Sequence, residues 1–119
     1  MGVVDVFDAN GKFVKQLIPV GVALNAPWGL ALAPADFGTL SNALLVGNFG
    51  DGMINGYDAG SGRFIGAVTE SGGAPFAIPG LWGIAFGNDA LNQPHNALFY
   101  AAGTNGGMNG SYGRIDPPQ

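Results

Sequence analysis

The amino-acid sequence predicts an all-β protein built from short antiparallel strands. Hydrophobic residues make up 47% of the 119 residues, only 10% are charged, and the chain contains 22 glycines and 8 prolines. The apolar residues fall in short runs that Gly, Asn, Asp and Pro interrupt, which is typical of strands joined by tight turns. No run shows the helical spacing of apolar residues, so we expect no helix in the core.

An internal repeat with a period of 54 residues organises most of the chain. Two segments of the first half recur in the same order in the second half, and the opening strand motif recurs in the middle of the chain. Self-similarity of this kind indicates a repeat architecture. The pairs 54 residues apart are Pro27–Leu32 with Leu81–Phe86 and Asn42–Val46 with Asn96–Tyr100; Val4–Ala9 matches Ile54–Ala59 at a spacing of 50.

Taken in chain order, the strand-like runs fall into groups of four. The two opening runs match the third and fourth strands of a preceding unit, a complete unit of four follows, and the last unit has two strands and a short third. Four antiparallel strands every 40 to 55 residues or so is the pattern of a β-propeller, in which each four-stranded sheet is a blade. The runs are 3–8 and 12–18, then 28–33, 43–48, 53–58 and 63–68, then 81–86, 97–102 and 111–116.

The sequence therefore predicts a single propeller fragment, residues 1–119, with two four-stranded blades per chain. We expect residues 1–18 to complete a blade of a neighbouring chain, 27–68 to form a whole blade and 81–116 to form a partial one. Propellers have about four to eight blades, so two per chain favour a closed homo-oligomer of two, three or four copies. In such a ring, strands from 3–18 would pair with the sheet that contains 81–102 of the next chain, which removes exposed sheet edges.

Three segments closely resemble an uncharacterised bacterial six-bladed β-propeller family related to NHL-repeat proteins. They are Asn25–Pro34, Ser41–Gly52 and Gly80–Gly83. The resemblance covers essentially the whole chain and matches the C-terminal third of that family. It implies a six-bladed ring, here formed by a homotrimer, and an exported bacterial protein, although this chain shows no signal peptide. It implies no activity, because the family has none established.

Charge and composition exclude several partner classes. The net charge is −4 and the chain has only four Lys and Arg residues, which form no cluster in the sequence. We therefore expect no binding to nucleic acid or to an anionic membrane. No apolar run approaches the roughly 18 residues of a membrane span, and the absence of cysteine excludes disulfides and thiolate chemistry.

The candidate ligand-binding residues are Trp28, Asn48, Asp51, Trp82 and Asn105. All are expected in or beneath the loops at one end of the propeller channel, where binding residues commonly lie. The two tryptophans are interpreted as packing between blades, with a platform for a flat ligand such as a sugar as the alternative. Asp51-Gly52 and Asn105-Gly106 are interpreted as tight turns. The alternative is that the oxygens of Asn48, Asp51 and Asn105 bind Ca²⁺, the one cofactor considered.

His95 is the only histidine, and it is expected on the end opposite these loops. We interpret it as an exposed loop residue. The alternative is a metal site of three His95 side chains, one from each copy around the ring axis. Asp8 and Asp58, which end equivalent strands, are predicted to cap the turns that follow.

The function that the sequence favours is a non-catalytic propeller scaffold that assembles with itself and binds at most a small ligand or ion at the channel mouth. The alternative is an enzyme, a metal-dependent hydrolase or lactonase that uses channel-mouth oxygens. A third hypothesis is a protein-interaction platform formed by the apolar loop 69–80. The sequence identifies no catalytic residue, so the physiological activity stays open.

Overall fold

A computed structural model describes residues 1–117 and confirms the all-β prediction. In this part of the chain the helical segments are two short 3₁₀ turns, Gly38–Leu40 and Asn105–Gly107. No helix within residues 1–117 has the length and apolar character needed to cross a membrane. The strands are β1 (Val4–Phe7), β2 (Phe13–Ile18), β3 (Pro27–Leu32), β4 (Leu44–Asn48), β5 (Ile54–Tyr57), β6 (Phe64–Ala67), β7 (Leu81–Phe86), β8 (Leu98–Thr104) and β9 (Asn109–Ile115).

The strands form three antiparallel sheets, each made of strands that are consecutive in the chain. The first sheet is β1-β2, the middle sheet is β3-β4-β5-β6 and the last sheet is β7-β8-β9. In both larger sheets the pairing of the first two strands is irregular at the same repeat position, near Trp28 and near Trp82. The 54-residue repeat in the sequence thus corresponds to two sheets of the same construction.

The last sheet is more complete than the sequence indicated. Strand β9 has seven residues and pairs with β8 along its whole length, from Leu98 opposite Ile115 to Thr104 opposite Asn109. It therefore covers the edge of β8 that we expected strands 3–18 of a neighbouring chain to fill. That exchange stays a prediction, and it requires β9 to leave β8.

The three sheets stack face to face, with the middle sheet between the other two. One face of the middle sheet packs on the last sheet, and its other face packs on β1 and β2. Burial of an aliphatic side chain in such a core contributes about 1.5–3 kcal/mol. The first core contains Ala33, Phe37, Leu40, Ala43, Leu45, Ile54, Val68, Leu81, Ile84, Leu98 and Ile115. The second contains Val4, Leu17, Ile18, Leu24, Val46 and Tyr57.

Strands β3 and β7, the first strands of their sheets, lie in direct contact through Gly29. A β-carbon on Gly29 would lie 2.7 Å from the Trp82 carbonyl oxygen and 2.9 Å from the Ile84 nitrogen. Both neighbours are backbone atoms, which cannot rotate away. Glycine at this position is therefore what allows the two sheets to pack closely.

The predicted turn caps are confirmed. Asp8 Oδ1 accepts hydrogen bonds from the backbone N–H of Asn10 and of Lys12, both at 2.9 Å. Asp58 Oδ1 accepts equivalent bonds from Gly60 N at 3.0 Å and Ser61 N at 2.7 Å. These bonds, to which the Ser61 hydroxyl adds another, hold the pKa of Asp58 below its usual value. The same short-range device thus closes the β1-β2 and β5-β6 hairpins.

We expect Gly29→Ala to destabilise the fold by about 1–3 kcal/mol, because the added methyl group overpacks the contact between β3 and β7. Urea denaturation measures the change in the free energy of unfolding. Gly66→Ala in β6 is the matched control, since a β-carbon at Gly66 has no heavy atom within 4 Å. Equal effects of the two substitutions would show that the close approach at Gly29 does not limit stability.

Candidate functional site

The loops expected at the channel mouth do gather at one end of the stacked sheets, which we call the loop end. It comprises the loops 19–26, 49–53 and 69–80 and the segment 102–107. Backbone hydrogen bonds tie these segments together in sequence around the end. They run from Phe49 N to Ala26 O at 2.9 Å, from Ile78 N to Gly52 O at 3.0 Å and from Gly103 N to Gly80 O at 2.8 Å.

An exposed aromatic cluster of Trp28, Trp82 and Phe49 occupies the loop end. The Trp28 and Trp82 rings meet edge to face, with centroids 4.7 Å apart, and Phe49 lies 5.1 Å from Trp82. The tryptophans therefore do pack across two sheets, yet Trp28 remains 62% exposed. Sequence reasoning missed Phe49, whose position directly after β4 in the loop-end turn was the available signal.

A cavity of about 290 Å³ lies beside this cluster. Trp82 and Phe49 form its aromatic side, and the segment Gly103–Gly107 forms its polar side. Asn105 belongs to that segment, so the structure brings Asn105 and Trp82 to the same cavity. Trp28 is in contact with Trp82 but does not line this space.

Asn48 lies beneath the loop end and not in it. Its side chain is fully buried and donates a hydrogen bond from Nδ2 to the Ala23 carbonyl at 3.0 Å. Asn55, on the same sheet face, donates to the same carbonyl at 2.9 Å. The two Asn Oδ1 atoms are buried and have no hydrogen-bond partner among residues 1–117. A ligand would reach Asn48 only if the loop 19–26 moved.

Tyr57 completes this attachment of the loop 19–26. Its hydroxyl donates to the Val22 carbonyl at 2.7 Å. Burial raises the pKa of Tyr57 above its ordinary value of 10.0, so the phenol stays protonated and able to donate. Three side chains of the middle sheet, Asn48, Asn55 and Tyr57, thus fix two consecutive carbonyls of one loop. This is a structural role that sequence reasoning did not identify.

Asp51 and Asn105 have the turn geometry that was predicted for them. Asp51 Oδ1 accepts from Met53 N at 3.0 Å, its Oδ2 accepts from Asn25 Nδ2 at 3.4 Å, and Gly52 has a φ of 74°. Asn105 has a φ of 53°, and its Nδ2 donates to Asn109 Oδ1 at 3.1 Å. The turn interpretation is therefore confirmed for the backbone. Each side chain makes its own local contacts.

The structure does not gather Asn48, Asp51 and Asn105 into one set of oxygens. Asn48 is buried under a loop, and the other two side chains bond within separate turns. Within residues 1–117, no group of three or more His, Cys, Asp or Glu side chains could hold a metal ion. The Ca²⁺ hypothesis remains a prediction that no observation here supports.

His95 lies at the opposite end of the sheets, as expected, but it has partners that were not expected. Its Nδ1 lies 2.9 Å and 3.0 Å from the two carboxylate oxygens of Asp89, and its Nε2 lies 3.0 Å from Asp36 Oδ2. Asp36 follows β3 in the middle sheet, whereas Asp89 and His95 follow β7 in the last sheet. The imidazole thus bridges two sheets through two carboxylates.

These carboxylates change the protonation of the ring. Hydrogen bonds to Asp89 first and then to Asp36 raise the pKa of His95 above its ordinary value of 6.5. The hydrogen bond from the His95 backbone N–H in turn lowers the pKa of Asp89. The repeat carried a signal that could have pointed to this site. His95 occupies the position that Ser41 occupies in the preceding unit, and Ser41 is hydrogen-bonded only within its own loop. The histidine is therefore a departure from the repeat.

Comparison with known proteins finds relatives of unknown function. Uncharacterized protein L690 of Acanthamoeba polyphaga mimivirus is 44% identical over 84 residues, 71% of this chain and 22% of that protein. Uncharacterized protein R648 of the same virus is 36% identical over 118 residues, 96% of this chain and 27% of that protein. The chain thus spans about a quarter of the length of these relatives. No known protein-family profile matches the chain.

Among solved structures, the chain is similar to the PQQ-bound form of an aldose sugar dehydrogenase from Streptomyces coelicolor. The TM-score is 0.53 and the sequences are 28% identical, over 84% of this chain and 27% of that chain. The neighbour is a β-propeller-like protein. This similarity supports a propeller-like arrangement of the three sheets, without giving the number of blades.

These findings correct the family resemblance stated from the sequence. The relatives found are mimivirus proteins, so the resemblance to a bacterial family related to NHL-repeat proteins is wrong. The expectation of an exported bacterial protein rested only on that resemblance and is withdrawn with it. Of the motifs quoted for it, Asn25–Pro34 contains β3, and Ser41–Gly52 contains β4 and the loop-end turn.

We expect His95 to stabilise the fold more at low pH than at high pH. Because its pKa is raised in the folded protein, the contribution is complete below about pH 6.5 and is lost as pH rises through the raised value. The difference in the free energy of unfolding between the native chain and His95→Gln should therefore be larger at about pH 5.5 than at about pH 9. Urea denaturation at both pH values measures it. Asp36→Asn, which removes one partner, should reduce the pH dependence, and equal differences at both pH values would contradict the assignment.

Proposed function

We propose that this protein is a non-catalytic β-propeller scaffold whose ring is completed by further copies of the same chain. The observation that carries the proposal is the contrast between the internal and the outer sheet faces. The internal faces are packed with apolar side chains. Two further apolar surfaces, the outer face of the last sheet and the part of the middle sheet that β1 and β2 leave uncovered, stand open to solvent, and large open apolar patches mark interaction surfaces.

The open surface at the β1 side is a stripe along β3. Trp28, Leu30 and Leu32 alternate along this strand and are 62%, 52% and 64% exposed. They lie on the face of the middle sheet that packs on β1 and β2. Those two strands cover this face at Leu44, Val46 and Tyr57, and leave β3 uncovered. In a propeller, the first two strands of a neighbouring blade would lie over such a stripe.

Three copies and six blades are the assembly we propose. Propellers usually have about four to eight blades, and three chains of two blades each give six, the middle of that range. The nine strands within residues 1–117 are one more than two four-stranded blades use. Ring closure therefore leaves either β9 or β1 without a place in the sheet. The strand exchange predicted from the sequence corresponds to the first case.

A small ligand at the loop end is the second part of the proposal. The aromatic cluster of Trp28, Trp82 and Phe49 offers apolar rings beside a cavity whose other wall carries backbone groups and Asn105. Apolar walls with a few polar groups are typical of ligand sites. The structural neighbour is a sugar dehydrogenase that acts on aldoses, which supports an aldose as the first ligand to test.

Light scattering of the purified chain tests the assembly. We expect a particle of three chain masses, each of 12.0 kDa, because open apolar faces and sheet edges are buried in a closed ring. A stable dimer or tetramer would change the blade count. A well-folded monomer would overturn the proposal and would place any further blades in a longer polypeptide, which the length of the relatives allows.

Tryptophan fluorescence during titration with D-glucose tests the ligand site. We expect a saturable change, because a pyranose stacked on Trp82 displaces water from an indole ring. Trp82→Phe should abolish the change in fluorescence. Trp28→Phe should retain it, because this substitution replaces an indole that does not line the cavity. No saturable change in the native chain would contradict an aldose site.

A further inference from the structure

The contact between the middle and last sheets shows how one repeat unit packs on the next. Leu81 and Ile84 of β7 lie against a groove in the middle sheet, where Gly29, Ala31 and Gly47 are small residues beside Leu45. A β-carbon on Gly47 would lie 3.1 Å from Leu81 Cδ2 and 3.6 Å from Ile84 Cγ2. We call this the internal groove; its residues are Gly29, Ala31, Leu45 and Gly47.

The same groove exists, open, on the outer face of the last sheet. The residues 54 positions later are Gly83, Ala85, Phe99 and Ala101. All four line one cavity of about 290 Å³, which we call the open groove. Gly29, Leu45 and Gly47 of the internal groove are buried, whereas Gly83, Ala85 and Ala101 of the open groove are exposed.

The apolar side chains that fill such a groove form a ridge along the first strand of a sheet. This ridge is also repeated, and its first copy, on β3, is exposed. Leu30 and Leu32 of β3 stand where Ile84 and Phe86 stand in β7, 54 residues apart. Ile84, in the internal groove, is 8% exposed, whereas Leu30 is 52% exposed. One chain therefore presents an open groove on the outer face of the last sheet and an exposed ridge of matching apolar character on the uncovered part of the middle sheet.

We propose that the open groove receives the β3 ridge of a second copy of this chain, with Leu30 of that copy lying over Gly83 and Ala101. The proposal rests on the proposed function and names the surfaces that build its ring. Because the groove and the ridge are different surfaces, the contact is head-to-tail and repeats from copy to copy, as ring closure requires. The groove and ridge residues carry no charge, so the docking is apolar.

A glycine at position 83 is consistent with this contact. Its equivalent, Gly29, has backbone atoms of the neighbouring strand within 3 Å of a β-carbon position, whereas a β-carbon at Gly83 has nothing within 4 Å. Within one chain any small residue would fit at position 83. A docked copy that repeats the internal contact would bring its β3 backbone close to Gly83, and then only glycine fits.

Docking also brings two strands to one edge. The ridge borders β1, since Val4, Trp28 and Leu30 line one small cavity. The β1 strand of the docked copy therefore arrives at the edge of β8, which β9 occupies. We infer that β9 leaves β8 in the assembly. Tyr112 of β9, whose ring stacks on Phe99 with centroids 5.9 Å apart, then uncovers the open groove.

Cysteine cross-linking tests the contact, because the chain has no cysteine of its own. Leu30→Cys and Ala101→Cys are prepared as separate chains. By the 54-residue repeat these positions correspond to Ile84 and Gly47, which are in contact within one chain. A short bismaleimide should link the two chains when they are mixed. Leu30→Cys mixed with Ile65→Cys, an exposed residue of β6 away from the open groove, is the control and should give no link.

Gly83→Val provides a second measurement. We expect it to lower the mass seen by light scattering to that of one chain while the chain keeps its β-sheet circular dichroism spectrum, whereas Gly66→Val leaves the mass unchanged. Amide exchange of residues 109–115 should be faster in the native assembly than in Gly83→Val. If the native chain is a monomer, both the ring and this contact are wrong. If a trimer forms without the cross-link and survives Gly83→Val, only this contact is wrong.

Discussion

The structure depends on the need of each β-sheet to bury both of its faces. The middle sheet meets this need within the chain, because β7 packs on one face and β1 and β2 pack on part of the other. Close packing requires small residues where strand backbones meet, and Gly29 meets this requirement at the contact with the backbone of Trp82 and Ile84. The outer sheets bury one face each. Leu30, on the uncovered part of the middle sheet, and Ala101, on the outer face of the last sheet, are exposed because nothing in the chain covers them.

Polar contacts attach the loops at the two ends of the stack. At the loop end, two asparagines and a tyrosine of the middle sheet bind the carbonyls of Val22 and Ala23, so the loop before β3 is held by side chains from β4 and β5. At the other end, His95 joins Asp36 to Asp89 and connects two sheets. The first attachment is buried and neutral, and the second is exposed and depends on protonation. The two ends therefore respond differently to pH.

The candidate ligand site was predicted in part. The two tryptophans could be placed at the loop end from the repeat, because each opens the first strand of a unit. Phe49 and the cavity beside Trp82 could not, since they depend on how the loop after β4 lies against the neighbouring sheet. Asn48 was expected among the loops because it ends β4. The fold buries it, because the loop 19–26 crosses above it and uses it as a donor.

The sequence by itself determined the all-β class, the order of the strands and the hairpin turns at Asp8 and Asp58. These follow from local causes: apolar runs of strand length, a fixed repeat period, and side chains that bond to backbone a few residues away. Only the tertiary structure decided the pairing of His95 with Asp36, residues 59 positions apart on different sheets. It also decided the full length of β9, which pairs with β8 from Asn109 onward, because a Gly-rich segment with weak strand character becomes a strand when a free edge lies beside it.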